Sequence, residues 1–222
     1  MRKRCVINVA TNGYVQWQER LLASLEQVGR CHEIMKWTNI LPPGSPTHRE
    51  WSYAFKLYAL KDAAQAGHEV VFWMDSGLYA IRNLEPIFAC LEQDGIYFVE
   101  DNNSVAKFCS DETLSWFGMR RDQVRPLHLI SGALMGFDFT REITKTILDA
   151  WWRAFKAGLY RGTVSRHSGM EDHRGDETIL GILTHIHGIK AHITSEHFGS
   201  DSENIRPTTL LRSGYYDWPK TA

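Results

Sequence analysis

Polar and apolar positions along this chain fall into blocks whose period switches between that of a buried strand and that of a helix. Cys5 to Ala10, CVINVA, reads as a short buried strand entering a polar turn, Thr11-Asn12-Gly13. Val15, Leu21, Leu22, Leu25 and Val28 follow at near-helical spacing, and Gly29 is placed to stop that helix. Residues 31–37 suggest a second strand, then a turn-rich loop, Leu41-Pro42-Pro43-Gly44-Ser45-Pro46. Helical spacing returns from Trp51 to Ala66, ended by Gly67. Val70-Val71-Phe72-Trp73-Met74 is the clearest strand: an unbroken apolar run predicts burial on both faces. Further strands are expected at 96–99, 133–137 and 189–194, and further helices at 141–157 and 177–187. Strands alternating with helices predict an α/β fold with a central, mainly parallel sheet flanked by helices. No repeat or low-complexity tract interrupts this order, so residues 1–222 are expected to form a single domain.

Composition narrows the class. The chain has 222 residues, 43% hydrophobic and 23% charged, which excludes a disordered or fibrous protein. A net charge of -1 excludes a chain held to nucleic acid by charge along its whole length, although a local basic patch is compatible with it. No apolar run approaches the ~18 residues of a membrane span, so no stable membrane insertion is expected. Cys5-Val6-Ile7, after the basic Met1 to Arg4, is too short for a signal-peptide core. Cys5, Cys31, Cys90 and Cys109 form no Cys-x-x-Cys pair, which points to free thiols and a cytoplasmic protein.

The candidate chemistry sits at Asp75. In open α/β sheets, ligands gather beyond the carboxyl ends of the strands, where Asp75-Ser76-Gly77 follows the buried run. A carboxylate there suits a divalent cation and, through it, a diphosphate; a turn-capping role fits its position equally well. The surrounding residues bear on the choice. Trp51-Ser52-Tyr53-Ala54-Phe55-Lys56, a helix, and then GHEVVFWMDSGLYAIRNLEPIF resemble the nucleotide-sugar-binding half of GT-A fold glycosyltransferases, of the glycogenin and galactosyltransferase-like type. Leu84-Glu85-Pro86-Ile87-Phe88 resembles an element downstream of that family's Asp-x-Asp motif. Ser131 to Phe137 looks like its acceptor-side strand, and His173 to Leu180 like an Asp-Gln pair opening a helix.

The resemblance covers roughly residues 5–200, and the order of the motifs carries it. It implies a nucleotide-binding part at about 1–100 and an acceptor part at about 101–222. It also implies a nucleoside-diphosphate sugar as donor, UDP being the expected nucleotide, and a glycan, protein, lipid or modified nucleobase as acceptor. Thr11 and Asn12 would lie against the nucleoside. Lys56, Asp75, Ser76 and Gly77 would serve the diphosphate, and Asp176 or Glu177 would stand beside the reacting carbon. An inverting enzyme would draw its base from these two or Asp172; a retaining one could pass the proton to the leaving phosphate. Each has a plainer reading: a turn for Thr11-Asn12, a solvated helix face for Lys56 and a helix cap for Asp176.

One departure concerns metal. Gly77 stands where the family has its second aspartate, leaving Asp75 alone. His197 is then the expected further ligand, with Mn²⁺ or Mg²⁺ as cofactor and Mn²⁺ better suited to imidazole. Binding through Lys56 and arginines without metal is the competing expectation. The other histidines, His185 and His187 among them, lack His-Glu-x-x-His spacing and read as surface or core residues. The run from Met119 to Arg125 reads as a solvated loop more readily than as a phosphate-steering patch. Residues 211–219 read equally as a lid or an oligomer contact. A nucleotidyltransferase of related sheet architecture, or a non-catalytic nucleotide-sugar-binding module, are the alternative functions. The absence of a Gly-rich phosphate loop after the first strand counts against the former, and Gly77 favours the latter.

Overall fold

The computed structural model describes residues 2–29, 32–161, 170–193, 197–200 and 210–213. The first half runs β1 (Arg4–Ala10), a 3-10 turn (Asn12–Tyr14), α1 (Val15–Gln27), β2 (Glu33–Thr38), α2 (Phe55–Gln65), β3 (Val70–Met74), β4 (Leu78–Ala80) and α3 (Glu85–Asp94). The second runs β5 (Ile96–Ser104), α4 (Val105–Phe108), α5 (Asp111–Trp116), β6 (His128–Asp138), α6 (Glu142–Lys156), α7 (Gly175–Ile186), β7 (His192–Ile193), β8 (Phe198–Ser200) and β9 (Leu211–Ser213).

Six strands form the central sheet in the order β2-β1-β3-β6-β5-β7. β1 pairs parallel with both β2 and β3, and β5 pairs parallel with β7. β6 runs antiparallel to both of its neighbours, so it alone is reversed. The sheet is therefore mainly parallel, as the alternation of strands and helices predicts. A second, small sheet has the order β4-β9-β8.

β3 is buried at all five positions because both of its faces are covered. Val71 and Trp73 pack with Leu57 and Leu60 of α2, Trp151 of α6 and Ile179 of α7. Val70, Phe72 and Met74 pack with Leu21 and Leu25 of α1 and Phe88 and Leu91 of α3. Each such side chain, fully removed from water, contributes roughly 1.5–3 kcal/mol. α6 shows how sequence sets a face: Ile147, Ala150, Trp151 and Ala154 are buried, while Trp152 is half-buried.

Several boundaries differ from the sequence reading. α2 begins at Phe55 rather than Trp51, because residues 51–54 form turns and Tyr53 takes a left-handed φ of 61°. Leu84 to Phe88 opens α3, with Pro86 in the first turn where its missing N–H costs nothing. β6 starts at His128, five residues before the expected strand. The expected last strand shrinks to His192–Ile193, and Thr194 lies outside the described residues. Within the expected lid or contact segment 211–219, Leu211–Ser213 is a strand paired with β4 and β8; residues 214–219 lie outside the described residues. The Arg120 run divides in two. Arg120 makes an exposed pair with Asp122, whereas Arg121 donates to the Cys109 carbonyl at 2.9 Å and pairs with Asp111 at 2.5 Å.

Candidate functional site

A cavity of about 410 Å³ opens beyond the carboxyl ends of β1 and β3. Thr11, Asn12, Gly13 and Tyr14 form one wall, and Asp75, Ser76 and Gly77 another. Val9, Leu41, His48, Tyr53, Phe55 and Trp73 complete it. Its position follows from the topology: two parallel strands end side by side, and their chains leave in separate loops. Asn12 is held at a φ of 53° while its amide donates to Asn39 Oδ1 at 3.1 Å. Tyr53 is the other lining residue with positive φ, and strained backbone of this kind gathers at functional sites.

A buried polar network fixes both loops. Asn8, fully buried in β1, donates to the Met74 carbonyl at 2.6 Å. Gln18 of α1 donates to Asn8 Oδ1 at 2.7 Å and accepts from Thr38 Oγ1 at 2.5 Å. Ser76 lies against Asn8 at 3.2 Å and is 4% exposed, so its hydroxyl braces the turn from inside. Arg20 donates to the Gly77 carbonyl at 2.8 Å, its guanidinium held between the rings of Trp17 and Tyr79 at 4.8 Å from each. The Asp75 amide donates to Ala133 of β6 at 2.8 Å, and its Oδ1 accepts from the Trp73 indole at 2.8 Å.

A charged cluster adjoins this cavity. Lys56, 2% exposed, donates to Asp176 Oδ2 at 2.6 Å and to the Gly132 carbonyl at 2.9 Å, with the Tyr53 ring 4.7 Å away. Burial works against its charge, but the neighbouring charges of Asp176 and Asp75, together with the bond to Asp176, hold its pKa above the ordinary lysine value. Glu177 accepts from the Gly132 amide at 3.2 Å and from Arg174 at 3.1 Å. Burial pushes the Glu177 carboxyl up, and Asp176 adds to that push. Burial raises Asp75 likewise, partly offset by Lys56 and the Trp73 indole. Gly132 leaves room for this pair: a Cβ there would lie 2.7 Å from Lys56 Nζ and 3.1 Å from Asp176 Oδ2, so the flexible end of Lys56 would have to shift.

Thr11, Asn12, Asp75, Ser76 and Gly77 thus meet in one cavity, and Lys56, Asp176 and Glu177 meet in the adjoining cluster. Lys56 is no solvated helix residue. Nor does Asp176 cap α7, whose N-cap is Arg174; its carboxylate accepts instead from Lys56 of α2, on the same face of the sheet. Asp172 is exposed, and its Oδ1 accepts from the His173 amide at 2.7 Å. His185 and His187 are exposed at the end of α7. His48, Tyr14, Tyr53 and Arg20 were not singled out by sequence. Tyr53 lies inside the Trp51–Lys56 stretch quoted for the resemblance, whereas Arg20 carries no signal beyond being a cation on a helix.

His197 lies against Tyr97. Its Nδ1 lies 2.8 Å from the Tyr97 hydroxyl, and Tyr97 faces the Phe72 side of the sheet. Asp75 bonds to Trp73, which faces the other side. The aromatic partners of His197 and Asp75 thus belong to opposite faces of the sheet. Among the described residues no group of three or more His, Cys, Asp or Glu side chains is arranged to hold a metal ion. In the turn itself Ser76 points inward and Gly77 has no side chain, so these residues do not fit the metal that the resemblance implied.

No family model and no curated protein matches the chain. Among solved structures, the apo structure of the bifunctional glycosyltransferase WbbM aligns with a TM-score of 0.60 at 9% identity. The likeness is one of fold. It covers 97% of this chain and 46% of the WbbM chain, so the chain spans less than half of that protein. No helix among the described residues is long and apolar enough to cross a membrane.

Proposed function

We propose that this protein is a glycosyltransferase that moves a sugar from a nucleoside-diphosphate sugar, with UDP as the nucleotide, to an acceptor hydroxyl or amine. The observation that carries the reading is the cavity at the ends of β1 and β3, with the Lys56–Asp176–Glu177 cluster beside it, on a fold shared with a glycosyltransferase. The base would lie against Thr11 to Tyr14, where Tyr14 is 55% exposed and offers an aromatic face. The diphosphate would lie along the Asp75–Gly77 turn. The sugar would then reach toward Glu177 and the Gly132 backbone.

In the transfer step the acceptor oxygen or nitrogen bonds to the anomeric carbon as the bond from that carbon to the phosphate oxygen breaks. The electron pair leaves with the diphosphate. Glu177, its pKa raised by burial, suits removal of the acceptor proton if the reaction inverts; the departing phosphate takes it if the reaction retains. Asp176, bonded to Lys56, sets the field around the reacting carbon.

Release of free sugar from a panel of nucleotide sugars tests the reading. Wild-type protein is expected to hydrolyse one of them slowly without acceptor, and Asp75→Ala to lose about 10²-fold of that rate, the scale of a misplaced reacting group once the turn along which the diphosphate lies loses its anchor on the Trp73 indole. Normal turnover by Asp75→Ala would place the chemistry elsewhere.

A further inference from the structure

We propose that the Lys56 ammonium is the resident cation of this site, so that a nucleoside diphosphate binds here without a divalent metal ion. This rests on the reading of the cavity as a nucleotide-sugar site. The Lys56 ammonium is surrounded by oxygen: Asp176 Oδ2 at 2.6 Å and the Gly132 carbonyl at 2.9 Å, with the charges of Asp75 and Glu177 close enough to act on it. An all-oxygen, carboxylate-rich setting is what a hard divalent ion takes. Here a covalently tethered cation takes it. The backbone is shaped to admit that cation, because any side chain at position 132 would meet Nζ at 2.7 Å.

The turn itself points the same way. Its single acidic side chain, Asp75, has one oxygen on the Trp73 indole, and the Ser76 hydroxyl faces Asn8. The Gly77 carbonyl, the remaining hard donor at the place of a second aspartate, is taken by the Arg20 guanidinium. Two buried side-chain cations, Lys56 and Arg20, therefore flank Asp75–Gly77 on opposite sides, and a divalent ion brought between them would be repelled by both. Hydroxyl, amide and imidazole groups of Thr11, Asn12, Tyr14, His48 and Tyr53 on the cavity wall are available to a diphosphate.

The test is calorimetric titration of UDP into the full chain, once in EDTA and once in saturating Mn²⁺, with the electron paramagnetic resonance of Mn²⁺ followed in parallel. The proposal expects UDP affinities within about threefold of each other and a Mn²⁺ signal that, with the protein and before UDP is added, stays that of the free ion. Affinity that falls tenfold or more in EDTA, with Mn²⁺ immobilised, would overturn the proposal and leave the nucleotide-sugar reading standing. UDP and the other nucleoside diphosphates failing to bind in either condition would overturn that reading, and this inference with it. Lys56→Met sharpens the result. Emptying the ammonium position leaves the Asp176 carboxylate and Gly132 carbonyl to a metal, so the variant is expected to gain Mn²⁺ binding and a Mn²⁺-dependent rise in Tm. A folded Lys56→Met protein that leaves Mn²⁺ free would count against the oxygen cage. Should the variant not fold, the wild-type titrations decide alone.

Discussion

The two faces of the central sheet are built from the same strands and end in different chemistry. On the face of Phe72, Val70 and Met74, α1 and α3 close an apolar layer of Leu21, Leu25, Phe88 and Leu91, with Arg20 of α1 at its rim on the Gly77 carbonyl. On the face of Val71 and Trp73, α2 and α7 add a core of the same kind but also bring Lys56, Asp176 and Glu177 to its rim. The strand is equally apolar on both sides; the covering helices decide where charge gathers. A buried ion pair adds little net stability over apolar packing, and under the proposed function the Lys56–Asp176 pair serves the reacting sugar instead.

Phe72→Ala, on the face of α1 and α3, has the largest expected effect on stability. Phe72 is fully buried and packs against Phe88 and Tyr97, so its truncation is expected to cost about 3–5 kcal/mol in urea unfolding. The fraction that remains folded should keep the wild-type turnover number. A fall in turnover per folded molecule would show that the two faces are coupled.

Gly132→Ala attacks the charged face. The added methyl meets the flexible end of Lys56, so a smaller cost of about 1–3 kcal/mol is expected. Here turnover should fall even in the folded protein, because the ammonium is displaced from Asp176. Equal activity in Gly132→Ala and wild type would detach the cluster from the chemistry.

The smallest expected effect concerns pH. Burial raises the folded-state pKa of Asp75 above its ordinary value. Between the unfolded and the folded pKa the native state holds the extra proton, so stability falls as pH rises through that window. Glu177 contributes in the same direction. Asp75→Asn removes the first contribution and keeps an oxygen for the Trp73 indole. It is expected to raise Tm near neutral pH by about 2–4 °C, which corresponds to about 1 kcal/mol in a chain of this size, and to flatten the acid side of the stability profile. A lower Tm at neutral pH would mean that the ionised carboxylate stabilises the fold.

How much was legible follows from how local each signal is. β3 and the carboxylate at its end can be read directly, because a strand buried on both faces announces itself within five residues. β4, β8 and β9 span three residues each, too short to show a period. The reversal of β6 depends on how α4, α5 and the loop after them return the chain, and no strand sequence encodes its direction. Lys56 and Asp176 lie 120 residues apart, so spacing alone says nothing of their contact; the order of motifs in the resemblance proposed both for one site. The contact of His197 with Tyr97 was illegible for a related reason, since the two residues lie far apart in the chain and only the sheet brings them together. Tyr53 and Arg20 show the remaining limit: a left-handed φ and a guanidinium held between two rings arise from tertiary packing.

The central claim is tested most directly by the position of a bound UDP-sugar in crystals of the full chain grown with EDTA. The account predicts the base against Thr11 to Tyr14 and the diphosphate along Asp75–Gly77, with Lys56 still on Asp176. A nucleotide seated instead in the apolar groove between α2 and α6, where Leu57, Leu60, Leu148 and Trp152 meet, would contradict it.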